Sequence, residues 1–383
     1  DANKFLLGVA NGVVELDRDN VRLRPAMQSD LITLNTGVVW REDENDIKEF
    51  ARDMWNNYLE LFIPNVELRK AVQVALGYCI IGGNPQKSMI CLVGQTDTGK
   101  STMVNIVQAA LGEYALSVDQ GIFKIRQFNT FLASAINKRI IVCSEFDAHD
   151  SLSASQIKRL TGHSDKMTTE IKNSMKVIES EGKFTPLLAT NAAPEILGAD
   201  KALENRLLCI PFNTVPKEMK REGADQMLAM CKEACLHWLV EGFKEYRKLN
   251  ALIVTEEMKK TKSAFMADID PVSAFIEECV IKHSHIDNQR VDWRQDPEWC
   301  IQRKHFYEKF QMWWIENHNG TSKIISKPAL TKKLRGFGIP GSPDNDNARV
   351  GGVSTTWWYG VKFKKNTSSN VVEFKSKTQS EAQ

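Results

Sequence analysis

The sequence predicts an α/β fold: a mainly parallel sheet covered by helices, with a helical cap before it and a winged-helix-like segment after it. Three observations lead there. Between residues 87 and 212, strand-sized apolar runs alternate with helical ones, the pattern of a parallel sheet whose crossovers lie on its faces. A glycine-bounded string, Gly94-Gln95-Thr96-Asp97-Thr98-Gly99-Lys100-Ser101, stands between one such strand and the helix that follows. A chain of 383 residues, 42% of them apolar, can also bury a large core in two or three folded units.

Residues 1–85 read as an N-terminal cap or oligomerisation region. Short apolar alternations broken at Asn11-Gly12 suggest small strands up to about residue 42. From Asp43 to about Ile81 the period becomes helical, and Phe50, Met54, Tyr58 and Leu61 are expected to form one packed stripe. Residues 86–215 form the α/β core: strands at Met89–Val93, Arg139–Cys143, Thr185–Thr190 and Leu207–Pro211, helices at Thr102–Leu111 and Gln156–Leu160. A helical extension, amphipathic from Pro216 to about Leu249, fills 216–270. Residues 271–365 follow as helices at Ser273–His283, His305–Asn317 and Lys327–Gly336, then a strand at Trp357–Val361, the order of a helix-turn-helix with a wing. Residues 366–383 carry no pattern and are expected to be disordered.

Composition excludes several classes. The longest apolar runs are strand-sized, far short of the roughly 20 residues that span a bilayer, so no membrane partner is expected. The eight cysteines sit mostly inside apolar runs, as reduced core thiols do, which points to an intracellular compartment. Cys279, His283, His285 and Cys300 have no compact zinc-knuckle spacing. A net charge of +2 predicts no nucleic-acid binding by itself, although residues 321–365 hold nine Lys or Arg against two Asp, a candidate phosphate-binding surface. The chain opens on Asp1 without a leader and reads as a piece of something longer.

The 94–101 string has the parts a phosphate cradle needs. Glycines let the backbone turn its N–H groups toward oxygens, Lys100 reaches phosphates, and Ser101 offers a hydroxyl to Mg²⁺. The apolar strand before it and the helix after it, from Thr102, supply the required context, so residues 94–102 are the predicted ATP site of a P-loop NTPase. Hydrolysis also needs an acid at a neighbouring strand end, to hold Mg²⁺ or polarise water. Residues 139–147 end in Ser144-Glu145-Phe146-Asp147, which makes Glu145 the preferred carboxylate, with metal coordination shared between Ser101 and Glu145 or Asp147. Asn191 ends a third strand, where it can contact the γ phosphate or orient water. Arg206 begins a fourth and can reach a neighbouring subunit's γ phosphate. A GTPase is disfavoured because Asn137-Lys138-Arg139-Ile140 lacks the base-reading acid.

Taken in order, Gly94–Ser101, Arg139–Glu145, Leu160-Thr161-Gly162-His163-Ser164-Asp165, Leu188-Ala189-Thr190-Asn191-Ala192-Ala193-Pro194 and Asn205-Arg206-Leu207-Leu208 resemble the superfamily 3 helicases, above all the poxvirus and satellite-phage primase-helicase branch. The resemblance covers about residues 1–215. It implies an AAA+-like P-loop core and an ATP- and Mg²⁺-dependent replicative DNA helicase of a virus, phage or mobile element, working in the host cytoplasm. It further implies a hexameric homo-oligomer that translocates on single-stranded DNA and shares each ATP site between subunits. A basic hairpin between the Thr-Gly motif and the Asn strand implies DNA contacts at Lys172, Lys176 and Lys183, with Lys176 at the tip. A primase or polymerase domain would lie upstream on a longer chain, since none fits here. The alternative is an ATP-switched DNA-binding initiator or assembly factor that unwinds nothing.

Overall fold

The computed structural model describes residues 3–17, 20–124, 134–135, 137–144, 151–162, 166–170, 177–216, 230–286, 291–317, 324–343 and 347–364. They fall into two compact units, residues 1–270 and 271–383.

The first unit opens with an antiparallel sheet of β1 (Leu6–Val9), β2 (Gly12–Leu16) and β3 (Val21–Arg24). The tight β1–β2 turn is Ala10-Asn11, and Gly12, at φ +148°, opens β2 directly after it. Helices α1 (Glu49–Phe62) and α2 (Val66–Tyr78) follow. The buried stripe of α1 is Ala51, Trp55, Tyr58, Leu59 and Phe62, rotated from the one read in the sequence. Phe50 and Leu61 are exposed, because three aromatic residues and a leucine on the adjacent face bury more apolar area than Phe50 and Leu61 would.

The central sheet has five parallel strands in the order β12-β4-β10-β6-β5, where β4 is Met89–Val93, β5 Ala115–Ser117, β6 Ile140–Cys143, β10 Thr185–Thr190 and β12 Leu207–Pro211. Successive residues feed opposite cores. Ile90, Leu92, Ile140, Val142, Leu187, Leu208 and Ile210 join one apolar cluster, with α1, α2, α3 (Lys100–Leu111) and α6 (Lys232–Leu249). Met89, Cys91, Ile141, Cys143, Leu188, Leu207 and Cys209 join the other, with α4 (Ala154–Leu160) and α7 (Glu256–Ile269). Burial on both faces is why these strands read as continuous apolar runs. This is the α/β P-loop NTPase-like fold predicted. The eight cysteines form no disulfide.

Between β6 and β10 the chain adds β7 (Ser151–Ser153), paired parallel with β11 (Glu195–Leu197), and the antiparallel hairpin β8 (Lys166–Glu170) and β9 (Val177–Glu181). Short α5 (Lys201–Glu204) precedes β12. The predicted extension helix is described from Lys232; residues 217–229 lie outside the described residues.

The second unit is built around aromatic rings: Phe275, Phe306, Phe310, Trp313, Trp314 and Trp358 share one core. Its helices are α8 (Pro271–Cys279), α9 (Arg303–Asn317) and α10 (Lys327–Gly336). The expected helix to His283 stops at Cys279, and Val280–Lys282 becomes strand β13, which pairs with β18 (Val361–Phe363). A β-branched Val-Ile pair that meets a partner strand favours the ladder over another helical turn. The single terminal strand is likewise two: β17 (Trp357–Tyr359), paired with β14 (Cys300–Gln302), and β18, separated by Gly360 at φ +67°. A hairpin, β15 (Ala348–Val350) and β16 (Val353–Thr355), turns through Gly351 and Gly352.

Candidate functional site

Because the sheet is parallel, β4, β6 and β10 all end on one edge. The chain leaves β4 for the far strand β5 and returns through β6 to place β10 beside β4, so a crevice opens there, where ligands of open α/β sheets bind. A cavity of about 510 Å³ occupies that edge, lined by residues 96–102, Ser144 and residues 189–194.

The loop from β4 to α3 owes its path to its glycines. A Cβ on Gly94 would overlap the Phe212 carbonyl, and Gly99 sits at φ +85° with a hypothetical Cβ 2.6 Å from the Phe62 ring. Asp97 also takes a positive φ, +62°. Gln95, Thr96 and Asp97 are exposed; Thr98 is buried, and its Oγ1 donates to the Gln95 carbonyl at 2.8 Å. No side chain caps α3, so the N–H groups of its first turn, residues 100–102, face the cavity edge with the positive end of the helix dipole.

Lys100 folds back into this loop. Its ammonium donates to the carbonyls of Gly94 (2.7 Å) and Gln95 (2.6 Å) and to Thr98 Oγ1 (3.1 Å). Burial lowers its pKa, opposed by the Asp97 carboxylate. A desolvated cation ringed by loop carbonyls and a helix N-terminus is chemistry suited to an anion. The residues present therefore fit a nucleotide's phosphates, with 94–102 as the cradle, Lys100 as the cation and Ser101 as a hydroxyl for Mg²⁺.

Of the other predicted residues, Asn191 is exposed at the end of β10 and lines the cavity, as does Ser144 at the end of β6. Glu145 and Asp147 lie outside the described residues. Arg206 is at the opposite end of the sheet. Its carbonyl accepts from Met89 N at the start of β4, about five residues, or roughly 17 Å, from the loop. Its Nη1 donates to the Ala202 carbonyl at 2.8 Å, while Nε is buried with no partner among the described residues. Arg206 and the cavity of its own chain are therefore separate. The interval expected to hold a hairpin does hold one, β8–β9; Lys172 and Lys176 lie outside the described residues, and Lys183 follows β9, half-buried, its carbonyl accepting from Gly83 N at 3.0 Å. Thr161 of the Thr-Gly motif ends α4, its Oγ1 donating to the Ile157 carbonyl at 2.8 Å.

Two groups escaped the sequence reading. The Tyr58 hydroxyl donates to the Gly99 carbonyl at 2.8 Å beside the Phe62 ring, so α1 of the cap touches the loop. Burial raises the Tyr58 pKa, which keeps the phenol protonated. Trp55, Tyr58 and Phe62, at i, i+3 and i+7, were a legible aromatic stripe, but nothing in their spacing names their partner. Arg139 is the second. It is buried, with Nη1 on the Lys4 carbonyl (2.7 Å), Nη2 on the Leu6 carbonyl (2.8 Å) and the guanidinium over the Tyr114 ring at 5.3 Å. Cys300 and His283, by contrast, are engaged in packing: the Cys300 thiol donates to the Trp293 carbonyl and His283 stands edge-on to Trp299. Among the described residues no group of three His, Cys, Asp or Glu is placed to hold a metal, and no helix is long and apolar enough to cross a membrane.

Fold and loop together define an α/β protein of the P-loop NTPase type. Comparison with known proteins adds its relatives. Residues 92–206 match a family described as of unknown function, DUF5906, and residues 1–56 match one described as D5 N terminal like. The putative helicase L207/L206 of Acanthamoeba polyphaga mimivirus is 25% identical over 84% of this chain and 34% of its own length. The putative helicase 184R of Invertebrate iridescent virus 6 is 22% identical over 87% of this chain and 36% of its own. The chain thus spans about a third of the length of these curated relatives. Solved structures of the NrS-1 C-terminal region align over 93% of the chain and 95% of theirs, with TM-scores of 0.45 and 0.46 at 14% and 15% identity. The viral relatives, named as putative helicases, and the D5-like segment bear out the resemblance to viral helicases read from the motifs.

Proposed function

We propose that this chain is the motor portion of an ATP-dependent replicative DNA helicase of the superfamily 3 type, working as a homo-oligomeric, hexameric ring on single-stranded DNA, with a primase or polymerase domain on the longer chain. The observation that carries the reading is the cavity at the carboxyl edge of the sheet, where the glycine loop with its inward-folded Lys100 faces Asn191 and Ser144 across one crevice. Bound Mg²⁺–ATP would supply the phosphoanhydride whose cleavage drives movement.

The chain's residues divide the remaining work. The loop amides of 94–102 and the Lys100 ammonium would hold the phosphates; Ser101, with Glu145, would hold Mg²⁺; Glu145 would accept a proton from a water that Asn191 orients. Arg206, remote from its own cavity, serves the site of the adjacent subunit. Lys172, Lys176 and Lys183 hold the DNA backbone by charge, which tolerates any sequence.

The test is ATP turnover with and without single-stranded DNA at low and moderate salt, in the wild type and Lys176→Ala. DNA-stimulated turnover that the variant loses while it still binds ATP supports the motor. Turnover indifferent to DNA in both proteins would overturn it.

A further inference from the structure

The cap helix α1 reaches the phosphate loop at one point, and the chemistry there is specific. The Gly99 carbonyl accepts from two donors: the Met103 amide at 2.9 Å, the first hydrogen bond of α3, and the Tyr58 hydroxyl at 2.8 Å. In a trans peptide the C=O of Gly99 and the N–H of Lys100 point in opposite directions. Holding the carbonyl toward α1 therefore turns the Lys100 N–H away from α1, to the side where residues 96–102 line the cavity. Gly99 has φ +85°, a conformation a glycine leaves easily, and the Tyr58 hydroxyl adds a hold on its carbonyl from outside α3 to the one the Met103 amide gives within it. Tyr58 is itself held, its ring 4.9 Å from Phe62 and 5.6 Å from Trp55, and Trp55 stands edge-on to Trp238 of α6 at 5.4 Å.

From this geometry we infer that Tyr58 is a positioning residue of the nucleotide site: its hydroxyl fixes the Gly99–Lys100 peptide so that the Lys100 amide is aimed at phosphate before a nucleotide arrives. The N-terminal cap is then part of the nucleotide site and not only a surface for assembly. The inference rests on the reading of 94–102 as that site.

The experiment compares wild type, Tyr58→Phe and Lys100→Ala by equilibrium binding of fluorescent ATP and ADP analogues, steady-state ATP turnover and nucleotide-free thermal melting. Phe keeps the ring in its stack and leaves the Met103 amide on the carbonyl, so nothing is orphaned. Loss of one pre-aimed donor weakens both nucleotides by about threefold to tenfold and raises KM for ATP alike, while kcat falls less than twofold. A tyrosine that merely packs the core would instead lower the melting midpoint and leave Kd and KM at wild-type values, and that result overturns the inference. Wild type that binds neither analogue, indistinguishable from Lys100→Ala, overturns the site reading itself and this inference with it.

Discussion

Arg139 Nη2 donates to the carbonyl of Leu6 at 2.8 Å, and so the strand that ends at Ser144 in the cavity begins with a guanidinium anchored in the N-terminal sheet. Nη1 bonds the Lys4 carbonyl, and the Tyr114 hydroxyl beneath the guanidinium donates to the Leu34 carbonyl and accepts from Gly8 N, each at 2.9 Å. Burial depresses the Arg139 pKa to about 10, with the phenol oxygen of Tyr114 opposing the shift. Carbonyl dipoles and a ring thus hold a cation that would ordinarily seek a carboxylate.

Replacement of Arg139 with Ala should remove two charge-assisted hydrogen bonds and leave a void, at a cost of about 2–4 kcal/mol in unfolding free energy. Lys, which cannot place two donors in a fixed fork, should recover less than half of that loss. Urea midpoints of the three proteins measure it; a midpoint in Arg139→Ala equal to wild type would mean the anchor carries no stability.

Gly99→Ala combines a left-handed backbone with a methyl 2.6 Å from a packed ring. The conformational cost alone is about 1–2 kcal/mol, and Phe62 cannot yield without disturbing Tyr58. The expected result is a folded protein in which nucleotide affinity falls by more than tenfold. Analogue binding beside circular dichroism checks both halves, and retained affinity would show that the loop tolerates another backbone at that position.

Much of the fold was visible in the sequence because a doubly buried parallel strand leaves an unmistakable trace: Met89–Val93 and Leu207–Pro211 need no alternation to be recognised. The phosphate loop was legible because its glycines and Lys100 meet a local requirement between a strand and a helix. What the sequence hid depends on distant partners. Phe50 and Leu61 fit a helical stripe as well as Ala51, Trp55 and Phe62 do, and only the neighbours of α1 choose between them. Likewise nothing local in the sequence marks Arg139, at the start of its strand, as buried; its burial depends on carbonyls more than 130 residues earlier. The switch from helix to strand at Val280 needed β18, more than 75 residues later.

Acid should loosen the N-terminal sheet in a defined window. Arg24 grips Asp30 through both nitrogens, at 2.8 and 2.7 Å, and Met27 N adds a third donor, which together hold the Asp30 pKa at about 2. A folded pKa below the unfolded one means the unfolded chain takes the proton first. The pair's contribution is therefore full above about pH 4 and is lost as pH falls toward 2. Melting midpoints of wild type and Asp30→Asn should differ at pH 6 and converge between pH 4 and 2; a gap constant down to pH 2 would remove Asp30 from the acid response.

Arg206 offers the sharpest test of assembly, because its position within one chain excludes the simplest role. It stands at the amino end of β12, beside Met89, while the phosphate loop begins after Val93 at the other end of the neighbouring strand. A flexible side chain does not cover roughly 17 Å. If the guanidinium acts on a phosphate, the phosphate belongs to another copy. On this proposal Arg206→Ala subunits bind ATP with wild-type affinity but fail to complete their neighbour's site, so turnover of mixed assemblies falls with the wild-type fraction while nucleotide binding does not. Glu145→Gln is the complementary variant: it keeps nucleotide binding and loses turnover in its own site, by about 10²-fold or more. Mixing Arg206→Ala with Glu145→Gln should then restore a portion of the activity, since some interfaces pair an intact Glu145 with an intact Arg206. No recovery in that mixture would assign Arg206 to its own chain's structure, where its guanidinium donates to the Ala202 carbonyl.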